Sequence, residues 1–128
     1  MSLPMYTQYT YTSPVLVVFV ELPAFDRHRA EYLDDESFRA LQNYLMTHPT
    51  AGLAIPETGG LRKVRFGDVR RGKGKRSGLR VIYYWWAEGA QFWLFTLFDK
   101  DEMADLTPQQ RKALKATIKA ELAARRTA

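Results

Sequence analysis

The stretch from Leu79 to Phe98, LRVIYYWWAEGAQFWLFTLF, constrains the fold more than any other part of the chain. β-Branched and aromatic residues fill Leu79 to Trp86 and Gln91 to Phe98, a composition that suits a pleated, buried surface. Between them Ala87 to Ala90, with Gly89, reads as a hairpin turn. Such a pair cannot be left bare in water, so the rest of the chain must supply helices to cover it. The aromatics Tyr83, Tyr84, Trp85, Trp86, Phe92, Trp93, Phe95 and Phe98 alternate along these strands. Most are therefore core, with one or two on an uncovered face free to stack on bases.

Earlier in the chain, residues 1–13 carry Tyr6, Tyr9 and Tyr11 among Thr and Gln and are treated as an N-terminal extension with no evident strand partner. Residues 14–128 are expected to form one domain, which 128 residues suffice to build around a real core. Val15 to Glu21, between Pro14 and Pro23, reads as a buried strand. Pro23 opens a helix whose inner residues are Phe25 and Tyr32, ending near Leu33. A second helix follows, capped by Asp34 or Asp35, with Phe38, Leu41 and Leu45 inward and His48 and Pro49 at its end. Thr50 to Gly60 is a loop, and Leu61 to Phe66 returns to strand, with Lys63 and Arg65 on one face and Arg62, Val64 and Phe66 on the other. Thr107, Pro108 and Gln110 start a last helix with Leu114, Ile118 and Leu122 inward. The order β-α-α-β-β-β-α predicts an α+β domain. It has an antiparallel-rich sheet of about four strands, two N-terminal helices and a C-terminal helix, with the helices on one face and the working surface on the other.

Charge is concentrated in one place. Nine of the 19 basic residues lie between Arg62 and Arg80 (Arg62, Lys63, Arg65, Arg70, Arg71, Lys73, Lys75, Arg76 and Arg80) against one acid, Asp68. The remainder holds 10 basic and 13 acidic residues, so a slightly acidic body carries a single positive site, the field that attracts polyanions such as phosphate backbones. The chain has no cysteine, which excludes disulfides, thiolate zinc sites and a cysteine nucleophile and suits a reducing cytoplasm. Its longest apolar run, Val15 to Val20, falls far short of the ~20 residues needed to span a bilayer and lacks the flanks of a signal peptide. A cytoplasmic protein without a membrane partner is expected.

The residues permit some chemistries better than others. His28, within an amphipathic helix, and His48, before a proline, read as structural or solvated. The acidic run Asp99, Asp101, Glu102 and Asp105 has the oxygen donors that suit Mg²⁺, but reads as a solvated loop ahead of a helix, and neither a metal site nor a cofactor is expected. Cations remain. RNA brings its own nucleophile, the 2′-hydroxyl, and a site that cuts it must align that group, take its proton and stabilise charge on phosphorus. Arginine suits the last task. Lysine acts as base when its pKa falls, as neighbouring cations make it do. The same cations equally suit RNA binding without chemistry.

Several ordered segments, GGLRKVRF (59–66), GKGKRSGLRVIYYW (72–85), FTLFDKDE (95–102) and DLTPQQ (105–110), resemble the RelE/ParE superfamily of type II toxin–antitoxin toxins, and its HigB-like branch most of all. The resemblance covers about Val15 to Leu122. It implies a RelE-like fold and an mRNA interferase, a metal-independent, ribosome-dependent endoribonuclease that inhibits translation and leaves a cyclic phosphate. By resemblance Lys63, Arg65, Arg80 and Lys100 are the catalytic set, with Arg80 holding the scissile phosphate, while Arg62, Arg70, Arg71, Lys73, Lys75 and Arg76 contact RNA. The base is Lys63 or a loop lysine, Lys73 or Lys75. Where some members place a stacking tyrosine, this chain has Leu106. The implied partners are the ribosome, mRNA and a HigA-like helix-turn-helix antitoxin. The same fold includes ParE-like poisons of DNA gyrase, so that activity stays open, as does a non-catalytic basic RNA-binding domain.

Overall fold

The computed structural model describes residues 5–9, 16–67, 78–99 and 106–127. Its helices are α1 (Pro23–Tyr32), α2 (Asp35–Thr47) and α3 (Pro108–Thr127). Its strands are β1 (Met5–Tyr9), β2 (Leu16–Glu21), β3 (Leu53–Ala54), β4 (Arg62–Phe66), β5 (Leu79–Trp86) and β6 (Gln91–Asp99). Together they make an α+β fold around one mixed sheet in the order β1-β2-β6-β5-β4-β3. Four of the pairings are antiparallel, and β2 runs parallel to β6 with Val18 beside Gln91 and Glu21 beside Leu94.

Helix starts form where their chemistry is written. Asp34 Oδ1 accepts the Ser37 amide at 2.8 Å at the head of α2. At α3 the capping box closes in both directions: Gln110 N–H donates to Thr107 Oγ1 at 3.1 Å, and Thr107 N–H donates to Gln110 Oε1 at 2.8 Å. The hairpin between β5 and β6 turns through residues 87–90, with the Ala90 amide donating to the Ala87 carbonyl.

Two expectations are corrected. The described residues hold six strands rather than four. The extra ones are edge strands: β1, inside the presumed extension, pairs with β2 from Met5–Val20 to Tyr9–Leu16, and the two-residue β3 pairs with β4. Leu53 and Ala54 are exposed, so β3 has no inward-facing residue to mark it in the sequence.

The second correction concerns the covered faces. Helices lie on both sides of the sheet. Phe25, Phe38, Leu41 and Leu45 of α1 and α2 pack with Phe19, Val64, Val81, Tyr83, Phe92 and Leu94 on one side. Ile118 of α3, flanked by Leu114 and Leu122, packs with Val20, Ile82, Trp93, Phe95 and Phe98 on the other. The strands carry large apolar groups at consecutive positions, so both faces need cover. A register shift between Ile82 and Tyr83 adds a residue to β6 here, and Phe95 joins the α3 side next to Thr96, the partner of Ile82. Among the described residues no face of the sheet is left wholly bare to serve as the working surface.

Inside this frame Glu21 is 2% exposed and accepts from Arg29 Nε at 2.9 Å. Burial pushes the Glu21 carboxyl above its usual value, against the pull of Arg29. Among the described residues no helix is long and apolar enough to cross a membrane.

Candidate nucleic-acid interface

Strands β4 and β5 set the cations in order. Their register places Arg65 opposite Arg80 and Lys63 opposite Ile82, while Arg80 in turn lies opposite Phe98 on β6. Directly opposite residues share a face, so Lys63, Arg65 and Arg80 all lie on the α3 side of the sheet. Arg62 lies on the other side, as alternation predicts. Its Nη2 donates to the Gly52 carbonyl at 3.1 Å and its Nε to the Ala51 carbonyl at 3.4 Å, which ties it to the loop before β3.

Exposure separates the members of the set. Arg65 is exposed, Lys63 half-buried and Arg80 buried, 5% exposed, with its Nη1 donating to the Gly78 carbonyl at 3.0 Å. Arg80 is not a surface side chain because the strand that carries it is central and Phe98 neighbours it on β6. The other assigned residues, Lys100, Arg70, Arg71, Lys73, Lys75 and Arg76, lie outside the described residues, as do Asp68, Asp101, Glu102 and Asp105. Asp99, the first acid of that run, is fully buried at the end of β6.

Two hollows flank β4. One, of about 200 Å³, has apolar walls from Leu53, Ile55, Ile82 and Leu106, and two cations, Lys63 and Arg111. The other, of about 400 Å³, lies along the β4 edge between Tyr44, Gly52, Leu53 and Arg65. Lys63 borders both. The walls are held by local chemistry. Thr58 is fully buried, its hydroxyl donating to the Ile55 carbonyl at 2.6 Å and accepting the Leu61 amide at 3.2 Å. Gly52 sits at φ +83°, and a Cβ there would collide with the Lys63 carbonyl, so glycine is what lets the β3 loop approach β4.

The loop is also pinned from the opposite side. Tyr83, fully buried, donates its hydroxyl to the carbonyls of Ala51 at 2.8 Å and Pro49 at 3.0 Å. Burial pushes this phenol up to about 12 from an ordinary value of 10.0, with the Arg62 charge opposing. A folded pKa above the unfolded one means that the neutral phenol's contribution is complete below pH 10.0 and lost as pH rises toward about 12. The stability difference between wild type and Tyr83→Phe should thus hold steady at lower pH. It should then shrink through that window by up to about 1.4 kcal/mol per pH unit in denaturant titrations. A difference that stays flat through the window contradicts this.

The histidines stand apart. His28 Nδ1 lies 2.9 Å from Glu31 Oε1 on the outer side of α1, and His48 ends α2 with its ring 5.0 Å from that of Tyr44. No group of three or more acids or histidines among the described residues is placed to hold a metal ion. Of the hairpin aromatics, Tyr83, Phe92, Trp93, Phe95 and Phe98 are buried, and Tyr84, Trp85 and Trp86 half-buried. Arg111 has no counterpart among the sequence-assigned site residues. Its signal was present: a cation in the first turn of a helix that carries no acid there, where the helix dipole disfavours positive charge.

No family model matches the chain.

Proposed function

We propose that this protein is a HigB-like toxin of the RelE/ParE superfamily that cleaves mRNA on the ribosome, acts in the cytoplasm and is held in check by a helix-turn-helix antitoxin. One observation carries the reading: Arg65 and Arg80 face each other across β4 and β5 with Lys63 two residues along on the same face. Two arginines set opposite one another on one sheet face hold fixed positive charge for an anion bound there. A phosphodiester is such an anion, and the ordered GGLRKVRF and GLRVIYYW segments add the family resemblance.

In this reading the 2′-hydroxyl of RNA attacks the adjacent phosphorus, Lys63 or a loop lysine takes its proton, and the 5′-oxygen leaves with a proton. The products are a 2′,3′-cyclic phosphate and a new 5′-hydroxyl end. Arg65 supplies charge to the phosphorane from the exposed side, and Arg80, fixed by the Gly78 carbonyl, supplies it from beneath. Lys100, Arg70, Arg71, Lys73, Lys75 and Arg76 join the reading by resemblance of the sequence alone.

The test is addition of purified protein to a bacterial translation extract, with mRNA 5′ ends mapped by primer extension with and without translating ribosomes. New ends at codon positions that require ribosomes are the expected result. Intact mRNA overturns the nuclease reading and leaves gyrase inhibition, measured by supercoiling, or RNA binding without chemistry.

A further inference from the structure

We propose that β1 is a docking edge for a second copy of this chain, the two β1 strands pairing antiparallel about a twofold axis so that two sheets become one. The inference goes beyond the nuclease reading and does not depend on it.

The two ends of the sheet differ. Its order runs from β1 to β3, so among the described residues each of these strands has one neighbour and turns one side of its backbone away from the sheet. The outward N–H and C=O groups of such an edge are a template for another strand unless something blocks it. The β3 edge is blocked in two ways. It is two residues long, Leu53–Ala54, and its partner β4 carries Arg62, Lys63 and Arg65. The β1 edge has neither guard. Its five residues, Met5–Tyr9, pair with β2 along their whole length. From Met5 to Ser13 the chain holds no lysine, arginine, aspartate, glutamate, proline or glycine. Charges and proline are what protect natural edges, whereas tyrosine and threonine favour strands.

Charge selects the occupant. Pairing centred on Thr7 sets Thr7 opposite its own copy, Tyr6 opposite Gln8 and Met5 opposite Tyr9, so no like charges meet across the axis. The cationic strands of the two copies also stay far apart. Joining two β1 strands puts the two β4 strands nine strand spacings apart, about 43 Å at ~4.8 Å each. That is several Debye lengths, each about 8 Å at physiological salt. Joining two β3 strands instead would bring the β4 cations within three spacings, about 14 Å. A chain of net charge +5 therefore meets itself at least electrostatic cost through β1. Because both copies use the same strand and the β3 edge is guarded, the assembly closes at two.

The test is sedimentation velocity on the full chain across a concentration series, with Thr7→Lys and Thr7→Glu examined alone and as an equimolar mixture. Wild type should move from the 14.8 kDa monomer to twice that mass as concentration rises. Each variant alone sets like charges opposite one another on the axis and should dimerise about fivefold more weakly, the upper end of cross-strand pair effects. The mixture should restore the dimer, since lysine then faces glutamate. A second pair of variants carries the same decision without adding charge to the strand. The chain has no cysteine, so Thr7→Cys supplies a single thiol on the axis, within disulfide reach of its copy, and Ala54→Cys supplies one on the other edge. On oxidation Thr7→Cys should give a covalent dimer on non-reducing electrophoresis and Ala54→Cys should stay monomeric. Wild type that remains monomeric at every concentration overturns the proposal and leaves the edge to a strand of another protein. A dimer unchanged in both charged variants, a mixture of folded variants that fails to restore it, or equal cross-linking at Thr7→Cys and Ala54→Cys each overturns it as well.

Discussion

Replacing Phe92 with alanine is expected to lower stability by about 3–5 kcal/mol, the range for deleting a buried phenylalanine, and to drop Tm by roughly 10–20 °C. Phe92 is fully buried near the middle of the sheet, where β6 lies between β2 and β5. Its ring stacks on Phe19 with centroids 4.9 Å apart and on Trp85 at 4.3 Å, and meets Tyr83 at 6.0 Å. Truncation therefore removes contacts to both neighbouring strands at once, and the β2–β6 pair is the parallel one. The α1–α2 side of the core loses the ring that joins its strands. Since whole domains are stable by only about 5–15 kcal/mol, the variant should be partly unfolded at moderate temperature. Differential scanning calorimetry reads this directly, and a Tm within a few degrees of wild type would mean that the aromatic cluster repacks.

The second large effect separates two arginines that face each other. Arg65→Ala removes an exposed side chain, should change stability by no more than about 0.5 kcal/mol, and should cut mRNA cleavage by about 10²–10³-fold, the usual loss when one stabiliser of developing charge is removed. Arg80→Ala should instead cost about 2–4 kcal/mol, because it empties a buried position and deprives the Gly78 carbonyl of its donor. Lost cleavage in Arg80→Ala thus mixes unfolding with chemistry, whereas Arg65→Ala isolates chemistry. Denaturant titration beside primer extension distinguishes the two. Wild-type cleavage by a stable Arg65→Ala protein would remove Arg65 from the phosphate site, and wild-type stability of Arg80→Ala would show that its burial contributes little.

Elements with strong local chemistry were legible in the chain. The Asp34 and Thr107 caps, the proline starts of α1 and α3 and the hairpin at residues 87–90 lie where their residues placed them. The alternation of β4 is equally direct, Val64 entering the α1–α2 core while Lys63 lies opposite Ile82 on the α3 side. What the chain did not reveal depends on distant partners. Strand β1 is defined by pairing with β2, and β3 by pairing with two residues of β4. A hydrogen-bonded edge needs no inward apolar pattern of its own.

The site shows the same division. Sequence by itself determined that cations cluster between Arg62 and Arg80 and that Lys63 and Arg65 share a strand face, because charge and period-two alternation are local properties. Tertiary structure alone decided that α3 returns across that face, that Arg80 is buried, and that Arg111, 31 positions further along the sequence than Arg80, borders the same cleft as Lys63. The physical reason is that both sheet faces carry large apolar side chains and must be covered. The helix that covers the second face brings its own first turn, and the arginine in it, to the edge of the cationic strands.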